Sequence, residues 1–219
     1  KSMKEHLNDA IYRQSELKEY IEMWCHEVKT PVATSQMIIE NNLNPVNESI
    51  KEELIKIDNY VEQVLFYARS ENVEKDYLIK DVKLSELVNS VIKRNKKDLI
   101  NKHVKIELEN LEIDVASDKK WLEFILNQII NNAIKYVDET PIIKLFAKQY
   151  KDRVELMIKD NGIGILENEL NRVFDKGFTG TTGRTKQKST GIGLYLCKKL
   201  CYRLNHEIKI DSNSHGTVV

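Results

Sequence analysis

The apolar positions Leu7, Ala10, Leu17, Ile21, Trp24 and Val28 recur at steps of three and four, the a and d sites of a heptad, with Gln14 the one polar member. That period predicts an amphipathic helix from near the N-terminus to about Asn42. A break or bend is expected near Pro31, which lacks a backbone donor and disfavours helix at Thr30. Turn formers clustered in Asn41-Asn42-Leu43-Asn44-Pro45 end the segment. Ile50, Leu54, Ile57, Val61, Val64 and Ala68 make a second seam, with Glu52, Glu53, Lys56 and Asp58 on the wet side of the helix it predicts. Two helices with one apolar stripe each form an antiparallel hairpin that leaves its stripes poorly covered. Pairing with a second copy into a four-helix bundle is the economical solution, so residues 1–72 are expected to form a homodimer.

Between about Glu71 and Asp76 the heptads stop and the period changes. Tyr77-Leu78-Ile79, Val104 to Leu108 and Asp114-Val115-Ala116 read as short strands, and Leu84 to Ile100 as a helix with Ser85 as its cap. A helix over 119–136 carries Trp121, Leu122, Ile125, Leu126, Ile129 and Ile130 on one side. Ile142 to Lys148 and Val154 to Lys159 alternate as strands about a polar turn at Tyr150-Lys151-Asp152. The expected fold class is α+β: the dimerising helical hairpin, then over 73–219 an α/β sandwich with helices on one face of a mixed sheet. A long glycine-bearing loop spans about 165–190, followed by a helix.

A chain of 219 residues with 41% hydrophobic content can bury a core in one or two domains. Lys+Arg and Asp+Glu both number 34, so bulk charge gives no argument for nucleic acid binding. No run approaches the roughly eighteen apolar residues needed to span a bilayer, and no signal peptide pattern opens the chain, so this piece is expected to be soluble. Cys25, Cys197 and Cys201 are too few and wrongly spaced for a zinc site and read as buried thiols in a reducing compartment.

Chemistry enters with Trp24-Cys25-His26-Glu27-Val28-Lys29-Thr30-Pro31. His26 takes an f position, so its imidazole points to solvent, with Thr30 one turn on and Glu27 beside it. A lone exposed histidine fits a solvated face equally well. An adjacent carboxylate, however, can hold one ring nitrogen protonated and leave the other free to attack. Asp160-Asn161-Gly162-Ile163-Gly164-Ile165 places an acid at a strand end, able to accept from an exocyclic amine such as that of adenine, with glycines where a backbone could turn close to a ligand. A simple glycine turn fits the same residues. Thr190-Gly191-Ile192-Gly193-Leu194 opens a helix whose free donors can hold phosphate oxygens, a weak signal alone. Gln128, Asn132 and Lys135 lie near one helical face, where amide oxygens can hold Mg²⁺ and a lysine can neutralise phosphate.

Together these runs resemble the cytoplasmic catalytic core of a bacterial sensor histidine kinase, over nearly the whole chain and in the right order. His26 to Pro31 resembles the phosphoacceptor box, Asn132 to Tyr136 the magnesium-binding asparagine box, Asp160 to Gly164 the adenine-binding glycine box, and Gly191 to Leu194 the second glycine box. Phe174 to Arg184 resembles the lid of the subgroup that senses within the membrane beside antimicrobial-peptide transporters. Two departures stand out: Gln128 where many members carry a second asparagine, and an end at Gly216-Thr217-Val218-Val219 where the family usually continues through a closing strand.

The resemblance implies ATP with Mg²⁺: Asp160, Gly162 and Gly164 at the adenine, Tyr136 against the nucleotide, Asn132 and Gln128 on the metal, and Gly191, Gly193 and Leu194 at the phosphates. Lys135 is the first candidate for the phosphate charge, joined by Arg184, Lys186 or Lys188 of the lid. It further implies autophosphorylation of His26, aided by Glu27, and transfer to an aspartate on the receiver domain of a response regulator. Thr30 would position water for regulator dephosphorylation. A peptide-antibiotic ABC transporter would be a partner of the full-length protein at the cell membrane, this fragment being cytoplasmic. Two rival expectations are a silent dimerising scaffold and an ATPase resembling the chaperone, topoisomerase or mismatch-repair clamps. Neither gives a reason for an exposed histidine followed by Glu and Thr-Pro.

Overall fold

The computed structural model describes residues 3–41, 45–71, 77–181 and 190–219, with the side chains of 3–13, 15, 16, 45 and 48 left undescribed. The heptad members Leu7 and Ala10, most of the first interhelical loop and the lid cations Arg184, Lys186 and Lys188 lie outside the described side chains. The chain divides into two compact units, Lys1–Asp76 and Tyr77–Val219.

The first unit is a helical hairpin of α1 (Met3–Glu40) and α2 (Pro45–Glu71). Its core gathers Cys25, Val61 and Leu65, with Ile21 and Val28 packed against them. Arg69 Nε reaches Glu22 Oε1 at 3.1 Å across the pair. The observed seam differs from the predicted one by an offset of register. Ile21, Cys25, Val28 and Val32 face α2, whereas the predicted members Leu17 and Trp24 are 58% and 44% exposed. In α2, Val61, Leu65 and Ala68 are buried while Ile50, Ile57 and Val64 stay open. Each helix thus carries two overlapping stripes that share residues, and one partner helix can cover only one of them. Pro31 does not break α1, whose helix continues through it to Glu40.

The second unit is built on a five-stranded mixed sheet of order β2-β4-β5-β7-β6: β2 (Lys105–Glu109), β4 (Ile142–Gln149), β5 (Val154–Asp160), β7 (Gly216–Val218) and β6 (Asp211–Asn213). Only β2 and β4 run parallel. A separate antiparallel pair joins β1 (Lys80–Lys83) to β3 (Asp114–Ser117). Alternation in β4 buries Ile143, Leu145 and Ala147 on one face. The buried sides of α3 (Leu84–Arg94), α5 (Lys119–Lys135) and α7 (Gly193–Arg203) complete the core, with the short α6 (Glu167–Leu170) preceding α7. Asp118 starts α5 by accepting Trp121 N at 2.9 Å.

Three expectations shift here. Tyr77-Leu78-Ile79 is not a strand; Leu78 N donates to Asp118 Oδ2 at 2.7 Å, and pairing begins at Lys80. The helix expected over Leu84 to Ile100 splits into α3 and α4 (Lys96–Asn101) at buried Asn95, and no side chain caps its start. Asn95 Nδ2 donates to Val91 O and to buried Asn127 Oδ1, both at 2.8 Å, so a tertiary polar contact overrides the local period. β7 lies between β5 and β6, extended by reciprocal Ile158–Val219 backbone bonds of 2.9 Å.

Candidate functional site

On the hairpin, His26, Glu27 and Thr30 are all exposed, off the packed stripe of Ile21, Cys25, Val28 and Val32. Thr30 Oγ1 donates to His26 O at 3.2 Å, and Thr34 Oγ1 to Thr30 O at 3.0 Å. Pro31 cannot donate to Glu27 O, so the turn after the histidine loses a ladder bond. Hydroxyl bonds on the adjoining carbonyls accompany that loss, in a pattern that tends to bend a helix rather than end it.

In the second unit, α5 is the spine of the site. Gln128, Asn132 and Tyr136 follow one another at four-residue steps and share a face, and the eight steps from first to last rise about 12 Å. At the Tyr136 end the glycine loop after β5 closes on the helix terminus: Ile163 N donates to Tyr136 O at 3.1 Å. A Cβ on Gly162 would overlap that same carbonyl. Gly164 has φ +68, and its added Cβ would overlap Asn213 O. At the other end, Gly193 approaches so closely that an added Cβ would lie 2.8 Å from Gln128 Oε1. Ile192 precedes α7 without a side-chain cap, so the first-turn N–H groups from Gly193 and Leu194 onward have no partner within the helix. Gly191, at φ +65, packs on Gly177 and Phe178.

Asp160 ends β5 half-buried. Its Oδ1 accepts Gly162 N at 2.9 Å and Thr217 N at 3.3 Å. Burial pushes its pKa above the ordinary aspartate value, and the two N–H groups oppose that rise. No buried side-chain N or O lacks a partner among the described residues, so Oδ2, which takes no described bond, is not wholly buried. Asn161 ties the loop down from behind, its Oδ1 accepting Ile142 N at 2.7 Å and its Nδ2 donating to Thr140 O at 2.8 Å.

Lys135 is half-buried, with Nζ 5.2 Å from the Tyr136 ring centroid, and desolvation lowers its pKa. Asn132 is half-buried, and its side-chain amide is bonded to no described residue. Among the described residues no three His, Cys, Asp or Glu side chains cluster as a metal site. In the described part of the lid, Glu169 Oε1 accepts both Thr181 N at 2.9 Å and Thr181 Oγ1 at 2.7 Å.

The structure therefore gathers Gln128, Asn132, Lys135, Tyr136, Asp160, Gly162, Gly164, Gly191, Gly193 and Leu194 about α5, while His26, Glu27 and Thr30 belong to the other unit. Sequence reasoning missed Thr217 and Ser212. Thr217 acts on Asp160 through a backbone N–H, which no side-chain pattern reveals. Asn127 was missed too, hidden among apolar neighbours. All three cysteines are free and buried, as expected. No helix among the described residues is long and apolar enough to cross a membrane.

Residues 117–219 match the family described as histidine kinase-, DNA gyrase B- and HSP90-like ATPase. The chain is 38% identical over 203 residues to the sensor histidine kinase YxdK of Bacillus subtilis (strain 168), a match covering 91% of this chain and 62% of the relative. It is 35% identical over 204 residues to the sensor protein BceS of the same organism, covering 92% and 60%. With the sensor histidine kinase GraS of Staphylococcus epidermidis (strain ATCC 35984) the identity is 30% over 208 residues, covering 93% and 60%. The chain thus spans about three fifths of the length of these relatives. Among solved structures, full-length ShkA in complex with AMPPNP aligns over 91% of this chain and 44% of its own, with TM-score 0.68 and 19% identity. The catalytic domain of histidine kinase ThkA aligns over 64% and 91%, with TM-score 0.57 and 23% identity. Those two likenesses concern the fold alone. The curated relatives run through both units and the ATPase family model covers most of the second, so along nearly its whole length the chain is similar to bacterial sensor histidine kinases.

Proposed function

We propose that this chain phosphorylates its own His26 from ATP and passes the phosphoryl group to an aspartate on the receiver domain of a response regulator. Asp160 carries the reading: a half-buried carboxylate held through Oδ1 by two backbone donors, with Oδ2 open to receive an exocyclic amine. Residues 73–219 form the ATP-binding domain in this account, with a lid over 165–190 that nucleotide orders. Residues 1–72 form the dimerising phosphotransfer hairpin. The open stripe of Leu17, Trp24, Ile50, Ile57 and Val64 supports pairing with a second copy, since a hairpin alone leaves it in water.

Tyr136 lies against the nucleotide, and Gly191, Gly193 and Leu194 offer backbone donors to its phosphates. The uncommitted Asn132 amide fits a hard cation that prefers oxygen ligands, with Gln128 as a second oxygen beside Gly193. With no acidic cage among the described residues, such a metal would be shared with phosphate oxygens, where Mg²⁺ supplies charge neutralisation. Lys135 serves the same charge, with Arg184, Lys186 or Lys188 as the lid cation. Phosphoryl transfer needs mainly in-line positioning and charge stabilisation, so His26 needs an exposed ring and a free nitrogen. Glu27 orients that ring or takes its proton. Thr30 positions water for regulator dephosphorylation. A membrane location and a peptide-antibiotic transporter partner are proposed for the whole protein from the resemblance of Phe174 to Arg184 to the lid of the subgroup that senses within the membrane.

Incubation with γ-labelled ATP tests the reading. Acid-labile, base-stable label on the protein is expected. Free phosphate alone would indicate an ATPase clamp, and neither product would indicate a scaffold.

A further inference from the structure

The β6–β7 hairpin meets Asp160 through a small hydrogen-bond hub. Ser212, half-buried on β6, stands opposite Thr217 of β7 in the register. Its hydroxyl oxygen lies 2.9 Å from Ile165 N, 2.9 Å from Gly216 O and 2.8 Å from Thr217 Oγ1. A serine hydroxyl has one proton and two lone pairs. Ile165 N–H can only donate and Gly216 O can only accept, so the Ser212 proton goes to the carbonyl and one lone pair receives the amide. The remaining lone pair faces Thr217, whose proton fills it. The reverse arrangement would set Ser212 Oγ and Gly216 O against each other with no proton between them.

Thr217 Oγ1 is thereby left with lone pairs only. The N–H of the same residue donates to Asp160 Oδ1 at 3.3 Å, so the hub is tied to the carboxylate through the Thr217 backbone. Gly216 permits the approach: its φ is +130, and an added Cβ would overlap Asp160 O.

We propose that Ser212 sets base specificity: by consuming the Thr217 hydroxyl proton it leaves Asp160 and Thr217 as paired acceptors, which take a purine with an amine at ring position 6 and reject one with a carbonyl there. The proposal rests on the reading of this unit as an ATP site. An amine donates to this pair, whereas a carbonyl would face lone pairs alone, and such polar mismatches separate close analogues strongly. Without the Ser212 hydroxyl, the Thr217 proton is free to turn and donate to a carbonyl. Ser212 itself touches no base and acts as a positioning residue.

Equilibrium binding of ATP and of ITP, its 6-oxo counterpart, tests this on the wild type, Ser212→Ala, Ser212→Thr and Thr217→Val. Ser212→Ala should lower the ATP-to-ITP affinity ratio by about three- to tenfold, and Ser212→Thr should restore it. Thr217→Val keeps Ser212 and should narrow the ratio likewise; adding Ser212→Ala to it should change the ratio no further. A merely structural Ser212 would weaken both nucleotides alike. An unchanged ratio in Ser212→Ala, or in Thr217→Val should the serine variant not fold, overturns the proposal while leaving the ATP site intact. A wild type that binds neither nucleotide, or binds both equally, overturns the ATP reading and the proposal with it.

Discussion

At the scale of single residues, Asp160 shows function set against stability. A carboxylate with a raised folded-state pKa binds its proton more tightly in the folded chain than in the unfolded one. Its contribution to stability is therefore present in full below the unfolded pKa and lost as pH rises through the folded value. At neutral pH the ionised group costs stability. Asp160→Asn keeps an oxygen for Gly162 N and Thr217 N but removes the open acceptor. The nucleotide-free variant should melt at or above the wild-type temperature while its ATP affinity drops by about ten- to a hundredfold. Scanning calorimetry and titration check both, and a melting point several degrees lower would contradict the assignment. Wild-type ATP affinity should also fall on acidification, starting above the ordinary aspartate range, because protonation removes the acceptor. Thr30 offers a second test at this scale. Its hydroxyl bonds the His26 carbonyl and not the ring, so Thr30→Ala should spare autophosphorylation and reduce regulator dephosphorylation. Equal loss of both activities would refute its separate role.

At the scale of elements, heptads revealed both hairpin helices but not which of two overlapping stripes each presents to the other. Ile21 and Val28 belong to both seams of α1, so the periodic signal is nearly degenerate, and Cys25, a small residue outside the chosen frame, decides the packing. The strands of the sandwich were legible from alternation in β4 and β5, where one face is buried. The break at Asn95 was not, because its cause lies 32 residues away at Asn127. The motifs of the candidate site were legible as residue types, since glycines and an acid at a strand end have few physical uses. Their support was hidden: backbone donors such as Thr217 N and hubs such as Ser212 come from topology. The open stripe makes a quantitative claim. Ile57→Glu should leave the hairpin folded, since Ile57 is 41% exposed within the chain, yet raise the dimer dissociation constant by about two orders of magnitude. Analytical ultracentrifugation beside circular dichroism would show it; a dimer of unchanged affinity would exclude this stripe from the interface.

At the scale of the whole molecule, the two units divide the chemistry. One presents an imidazole to solvent, and the other gathers acceptors, amides and helix donors suited to holding a nucleotide. In the proposed function, phosphoryl transfer needs both units. The most direct measurement is localisation of the phosphoryl group by tandem mass spectrometry under alkaline conditions after incubation with ATP and Mg²⁺, for the wild type and Asp160→Asn. The account predicts phosphate on His26 alone in the wild type and none in the variant. Phosphate on another residue, or on His26 undiminished when Asp160 is changed, would contradict it.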